Sequence, residues 1–483
     1  MNQGKTPLFD ILKRYSEQET FSYHVPGHKN GQLFADFART FFQSVLAIDA
    51  TEITGLDDLH APSGPIMEAM ELLAELYGAD QSFFLVNGTT VGNLAMILST
   101  VNEGDRVLVG RDCHKSILHG LTLAKAEPVF MSPKIDENWK VSSGYDAGTV
   151  EKALQLFPDI KAVILTYPNY YGLTYDLGEI ISVARKKNLP VLIDEAHGAH
   201  FILPPPFPES SVQLGADIVV QSAHKTLPAM TMGSFLHINS RRIDPERVKF
   251  YLQMLQSSSP SYPLMASLDL ARYYLASYNE EDLAFFIKEV ERFKKILCTI
   301  PEIEILQTPN GCKPDPLKIT LRSTKGISGF QLQELLETEW VYPELADMQN
   351  VLLILPLLKK EQMYPFTKTA EKIASAVKKE DYEQSFLIRS REFLYRDELF
   401  SVLSVPFKKM EQTEKEEIPL SEACGRISGE MIIPYPPGIP LIMEGEKITE
   451  EKLGILMNLL AQNANFQGGR VLQKRRIIVF KNV

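Results

Sequence analysis

The chain carries little of what marks an extracellular, membrane-spanning or nucleic-acid-binding protein. It has 4 cysteines in 483 residues, and Cys113, Cys298, Cys312 and Cys424 follow neither a disulfide framework nor a metal-ligand spacing. Its most apolar segments, such as Val351–Leu355, are far too short to cross a bilayer. Met1–Thr6 lacks the apolar centre of a signal peptide, so a reducing, cytoplasmic setting is expected. A formal net charge of −11 argues against a nucleic-acid partner, which needs a basic face. Internal repeats and low-complexity tracts are absent. Histidine is missing from the whole second half: all 9, from His24 to His237, lie in the first. Polar chemistry is therefore expected in the N-terminal half and the middle.

What is present is ordinary globular composition, 45% hydrophobic and 23% charged, in a chain longer than one domain. From residue 82 apolar runs alternate with helical patterns. Strands are expected at 82–86, 106–109, 128–131, 162–166, 191–194 and 217–220. Helices are expected at 91–101, from 113, at 148–157, at 177–187, and once more between Asp194 and the 217–220 strand. Repeated strand–helix units of this kind predict an α/β fold with a mostly parallel sheet covered by helices. Upstream, Pro65 opens a helix that Gly78 closes. Beyond 245 the pattern turns to long helices near 246–256, 263–277 and 280–298, then to a smaller α/β domain around 317–376. The charged run 408–417 reads as a solvated helix or linker. Pro434-Tyr435-Pro436-Pro437-Gly438-Ile439-Pro440 reads as a rigid loop without regular structure.

Two polar loops precede the α/β region, residues 22–31 and 51–61. His24 and His28 stand four apart, but Pro26 and Gly27 between them forbid a regular helix, and no third ligand is evident. A loop lining a polar pocket is expected here, with no metal site; His24 is a candidate substrate contact.

Parallel sheets bind ligands beyond the carboxyl ends of their strands. The residues just past each expected strand are Gly88-Thr89-Thr90, Asp112-Cys113-His114-Lys115, Tyr167-Pro168-Asn169-Tyr170, Asp194-Glu195-Ala196-His197 and Ser222-Ala223-His224-Lys225. Gly88 permits a tight turn before two hydroxyls and a helix start, which suits either an anion or a plain N-cap. A lysine such as Lys225 most often snorkels into water; held half-desolvated, it can instead form a Schiff base with a carbonyl cofactor. Asp194 ends an apolar strand, where a carboxylate needs a partner. It is either a structural cap or the group that keeps a pyridinium nitrogen protonated. Ala196 offers a small surface on which a ring can lie, and His114 could stack on the opposite face or cap its helix. Lys225 follows Asp194 by about one crossover connection, so amine and carboxylate can sit on neighbouring strand ends. Ser222 and His224, beside Thr89 and Thr90, are candidates for the cofactor phosphate. The residues themselves thus point to a pyridoxal enzyme.

The combination of His24-Val25-Pro26-Gly27-His28-Lys29, Asp57-Asp58-Leu59-His60, Asn87-Gly88-Thr89-Thr90, Cys113-His114-Lys115-Ser116, Asp194-Glu195-Ala196-His197-Gly198-Ala199-His200, Ser222-Ala223-His224-Lys225 and Pro434–Pro440 resembles the pyridoxal-phosphate-dependent ornithine/lysine/arginine decarboxylases. The likeness is greatest to short, bacillus-type members without an N-terminal wing domain. The resemblance implies the aspartate-aminotransferase-like fold (fold type I) with a C-terminal decarboxylase domain. Expected boundaries are 1–60 for an N-terminal arm, 61–300 for the large cofactor domain, 301–407 for a small domain and 408–483 for the C-terminal domain. It implies Lys225 as the Schiff-base lysine, Asp194 as the pyridine-nitrogen partner, His114 as the ring-stacking group, and Thr89, Thr90, Ser222 and His224 as phosphate holders. His197 stands where some long-form enzymes carry Trp. The implied activity is α-decarboxylation of arginine, lysine or ornithine to agmatine, cadaverine or putrescine, in polyamine biosynthesis. Lys225 or His197 would return the proton to Cα, and Glu430 is a candidate for the distal cationic group. A homodimer with shared active sites is expected. Transamination, aldol cleavage or a non-catalytic homologue are the alternatives to be separated by product analysis and cofactor binding.

Overall fold

The computed structural model describes residues 1–378, 399–434, 439–462 and 464–481. The chain divides into two compact units, one of residues 1–100 with 190–279 and one of residues 101–189 with 280–483. The fold class is α/β, as expected.

In the first unit the strands run in the order Gln81–Leu85, Ser234–Ile238, Ile218–Gln221, Val191–Asp194. Val191–Asp194 and Ile218–Gln221 are parallel neighbours, with Asp194 opposite Val220. The other two pairings are antiparallel. Every residue of the Val191–Asp194, Ile218–Gln221 and Ser234–Ile238 strands is buried, which is why they read as continuous apolar runs rather than alternating ones.

No helix lies between Asp194 and Ile218; residues 195–217 pass through turns instead. Pro204, Pro205, Pro206 and Pro208 supply no N–H and fix φ. The crossover that the spacing predicted is therefore present, but its helix is not. The helix after the first strand spans Gly88–Thr100 and begins three residues before the expected Val91, so Thr89 and Thr90 occupy its first turn. Gly88, at φ 75°, makes the reversal that allows this early start.

Pro65–Tyr77 forms the expected helix, closed by Gly78 at φ 70°. Asp57 holds its start: the carboxylate accepts from the backbone N–H groups of Asp58, Ser63, Gly64, Ile66 and Met67. One side chain thus satisfies several of the donors that a helix start leaves without partners. Tyr262 donates its hydroxyl to the Asp57 carbonyl at 2.6 Å, tying this loop to the Tyr262–Ala276 helix.

In the second unit Arg106–Gly110 pairs in parallel with both Glu127–Met131 and Ile160–Thr166. Phe400–Val402 joins the edge antiparallel. A separate antiparallel sheet of Ile303–Ile305, Lys318–Ser323, Asn350–Ile354 and Leu345–Ala346 is accompanied by the helices Gly329–Thr338 and Phe366–Lys378. Beyond it, Lys415–Pro419 pairs with Arg476–Phe480 around a core that includes Ile418, Leu456, Ile477 and Val479. The charged run 408–417 is therefore partly a strand, because alternate residues of Lys415–Pro419 need not be apolar when only one face is buried. Pro434 ends a short strand, Ile432–Pro434, and Tyr435–Gly438 of the proline-rich segment lie outside the described residues.

The second unit also buries a charge cluster. Arg111, just past the Arg106–Gly110 strand, donates to the carbonyls of Pro440 at 2.7 Å and Leu441 at 3.1 Å, and to Glu446 at 3.1 Å. Lys452 reaches the other Glu446 oxygen at 2.7 Å. Burial alone would raise the Glu446 carboxyl, but the Arg111 and Lys452 charges outweigh it and hold the group below the usual carboxylate range.

Candidate functional site

Asp194 closes the Val191–Asp194 strand with 2% of its surface exposed. Its Oδ2 accepts from Asn93 Nδ2 at 2.9 Å and its Oδ1 from the Ala196 N–H at 3.2 Å. Burial raises the carboxyl above the usual range, and the Lys225 charge and the two hydrogen bonds only partly offset that.

The loop after Asp194 brings back His197, and the short helix Ala223–Thr226 carries Lys225. Lys225 Nζ lies 3.0 Å from His197 Nε2, with His197 itself buried. Ala196 is buried between the two polar groups of its loop. Thr89 Oγ1, in the first turn of the Gly88–Thr100 helix, is hydrogen-bonded to Ser222 Oγ and, at 3.2 Å, to Ser234 Oγ. His224 is held against the Gly233 carbonyl through both its Nδ1, at 2.8 Å, and its backbone N–H, at 3.2 Å. Thr89, Asp194, Ala196, His197, Ser222, His224 and Lys225 thus all belong to the first unit. Thr90 shares the helix turn but is exposed, on a different side of it from buried Thr89.

The remaining candidates have these local partners. His24, in the N-terminal loop, bonds to Tyr15 at 3.3 Å and to the Val25 carbonyl at 2.5 Å. His114, in the second unit, is the N-cap of Lys115–Ala124: its Nδ1 accepts from the Ser116 N–H and meets Ser116 Oγ at 2.8 Å. Glu430, also in the second unit, is not a loose surface carboxylate; its two oxygens accept from the backbone N–H groups of Arg470 at 3.1 Å and Ile478 at 3.0 Å.

Two buried residues of the first unit were missed in the sequence. Asn93 is one. Glu195 is the other, fully buried directly after the strand that Asp194 closes. Its Oε2 accepts from Ser210 Oγ, the Ser211 N–H and Ser211 Oγ, which pins the proline-rich excursion to the strand end. Burial pushes the Glu195 carboxyl up to about 8, against the bonds from Ser211, Ser210 and Gln221. His237, bonded to Ser82 Oγ at 2.8 Å and Gln221 Oε1 at 3.1 Å, is pushed down by burial to about 3. A network of uncharged groups therefore underlies the Asp194 loop at neutral pH. The readable signal for Glu195 was a second acid directly after an apolar strand that already ends in one.

This donor set fits pyridoxal phosphate. Lys225 supplies an amine beside an imidazole, Asp194 a buried carboxylate for a protonated ring nitrogen, and Thr89 with Ser222 hydroxyls at a helix start, where backbone N–H groups and the helix dipole favour a phosphate. The fit rests on the chemistry of Asp194 above all: its direct donors are neutral N–H groups, so a cationic ring nitrogen would provide the charge that burial withholds.

Sequence comparison identifies the family. Residues 6–313 match the major domain of the Orn/Lys/Arg decarboxylase family and residues 402–468 its C-terminal domain. The uncharacterized protein YaaO of Bacillus subtilis is 48% identical over 478 residues, covering 98% of each chain. An arginine decarboxylase of Bacillus anthracis is 34% identical over 489 residues, covering 99% of this chain and 98% of the relative. The crystal structure of the lysine decarboxylase LdcF of Francisella novicida superposes with a TM-score of 0.82 at 20% identity, covering 98% of this chain and 81% of that one. From its sequence over nearly its whole length, and with a matching fold, the chain belongs to the Orn/Lys/Arg decarboxylase family.

Proposed function

We propose that this protein binds pyridoxal 5'-phosphate through Lys225 and converts a basic L-amino acid to its amine. In the net reaction the Cα–carboxylate bond breaks, the carboxylate leaves as CO2, and one proton is added at Cα. The observation that carries this reading is the grouping of Lys225, His197, Asp194 and the Thr89–Ser222 hydroxyl pair within one compact unit. When bound, the cofactor serves as the sink for the electron pair left by CO2.

The protein's residues do the rest. Lys225 would anchor the cofactor through its amine. Lys225 and His197, 3.0 Å apart, can pass a proton between them, so that the pair returns one to Cα. Asp194 would hold the ring nitrogen in its protonated form. Thr89, Ser222 and His224 hold the phosphate, and the resemblance adds Thr90 there and His114 as the group covering the ring. L-Arginine is the first substrate to test, since relatives of similar length at 34% identity are arginine decarboxylases. A place in polyamine synthesis and a cytoplasmic setting follow from that substrate class. Among the described residues no helix is long and apolar enough to cross a membrane.

A homodimer completes the reading. The Asp36–Leu46 helix exposes Phe37 and Phe41, each 87% accessible, with Phe42 and Val45 on the same stripe. Such a face needs cover, and a second copy is the occupant we assign.

The test is direct. Purified protein is incubated separately with L-arginine, L-lysine and L-ornithine, and the products are identified. One diamine or agmatine with stoichiometric CO2 supports the reading; a keto acid or an aldehyde contradicts it. Lys225→Ala should abolish the visible absorbance of the lysine-bound cofactor, and a retained band would remove Lys225 from its role.

A further inference from the structure

We infer that Asn93 is a positioning residue for the cofactor's ring nitrogen, acting through Asp194; the inference rests on the cofactor reading above. Asn93 is fully buried on the Gly88–Thr100 helix and donates Nδ2–H to Asp194 Oδ2 at 2.9 Å. The Ala196 N–H holds the other oxygen at 3.2 Å. Each carboxylate oxygen therefore has one fixed donor, and its remaining lone pairs are aimed rather than free to rotate.

The preceding residue explains how a helix side chain reaches that far. A Cβ on Gly92 would stand 2.4 Å from Val220 Cγ1 and 2.6 Å from Leu85 Cδ1. The helix is thus pressed onto the strands as closely as glycine allows, with its next residue against the end of the Val191–Asp194 strand. The choice of an amide also matters. An amide orients the carboxylate without neutralising it, whereas a lysine or arginine would form an ion pair and compete with the ring nitrogen. The buried Glu446, engaged by Arg111 and Lys452, shows what the paired alternative looks like.

The experiment uses the full-length protein stripped of cofactor, and measures equilibrium affinity for two ligands: pyridoxal phosphate and its carbocyclic analogue with CH in place of the ring nitrogen. Wild type is expected to prefer pyridoxal phosphate. Asn93→Ala should weaken pyridoxal phosphate by about tenfold, the factor that ~1.4 kcal/mol produces, and leave the analogue within about twofold, since the analogue has no ring nitrogen for Asp194 to engage. In an Asp194→Asn background the Asn93 substitution should change neither affinity further. If Asn93→Ala does not fold, Asn93→Leu fills the same volume without a donor and is expected to give the same selective loss. Equal loss of both ligands, or loss of neither, would overturn the inference and leave the cofactor reading standing. Wild-type protein that binds neither ligand would instead overturn the cofactor reading.

Discussion

Asp194 and Glu446 are both buried carboxylates, one in each unit; burial raises both, but their neighbours leave them shifted in opposite net directions. Glu446 meets two cations directly, Arg111 at 3.1 Å and Lys452 at 2.7 Å, and is held as an anion. Asp194 meets two neutral N–H donors and is raised. A charge that the protein neutralises itself is there for the fold. A carboxylate whose direct donors are neutral, and whose burial the Lys225 charge offsets only in part, works against the folded state, and is kept where a bound partner supplies the missing countercharge.

The largest effect should come from breaking the self-neutralised site. Glu446→Ala leaves Arg111 and Lys452 buried without their anion, and is expected to destabilise the protein by about 3–5 kcal/mol in urea unfolding. A change below about 1 kcal/mol would mean the cluster is well hydrated and contributes as little as a surface pair.

Glu195 extends the contrast to pH. Its folded-state carboxyl is raised to about 8 from an ordinary 4.5, so the folded protein holds a proton that the unfolded chain releases. Its contribution to stability is therefore fully present below about 4.5 and is lost as pH rises to about 8. Glu195→Gln should flatten the fall of Tm across that window. An unchanged slope would show that Glu195 is ionised in the native protein.

Smaller effects are expected where a charge meets backbone N–H groups or sits in an exposed pair. Asp57→Ala removes the acceptor that starts the Pro65–Tyr77 helix and should cost about 1–2 kcal/mol, measured by thermal unfolding. The exposed Lys5–Glu68 pair sets the floor: Glu68→Ala should change stability by less than ~1 kcal/mol, and the difference should vanish in high salt.

Much of the fold and most of the Lys225 cluster were legible because strand ends advertise themselves. An apolar run followed by Asp194, or by Ser222 through Lys225, marks a buried strand delivering polar groups to one edge. The missing helix between Asp194 and Ile218 has a sign in the sequence, Pro204, Pro205 and Pro206, which the crossover length alone does not take into account. Asn93 gave no local sign, since an asparagine inside a helical pattern is ordinary and its partner is 101 residues away. Arg111 was hidden for the same reason: its carbonyl and carboxylate partners lie 329 to 335 residues on. Glu430 drew attention as a carboxylate for substrate, and only the fold revealed the Arg470 and Ile478 N–H groups that it serves.

The most direct measurement compares two isosteric amides in cofactor-free protein at neutral pH, by urea unfolding. Asp194→Asn removes a carboxyl that burial opposes, and is expected to leave stability equal to or above wild type while weakening cofactor binding. Glu446→Gln is expected to lose at least about 2 kcal/mol, because two buried cations lose their anion. Equal destabilisation by the two substitutions would contradict the distinction between a carboxylate kept for a ligand and one kept for the fold.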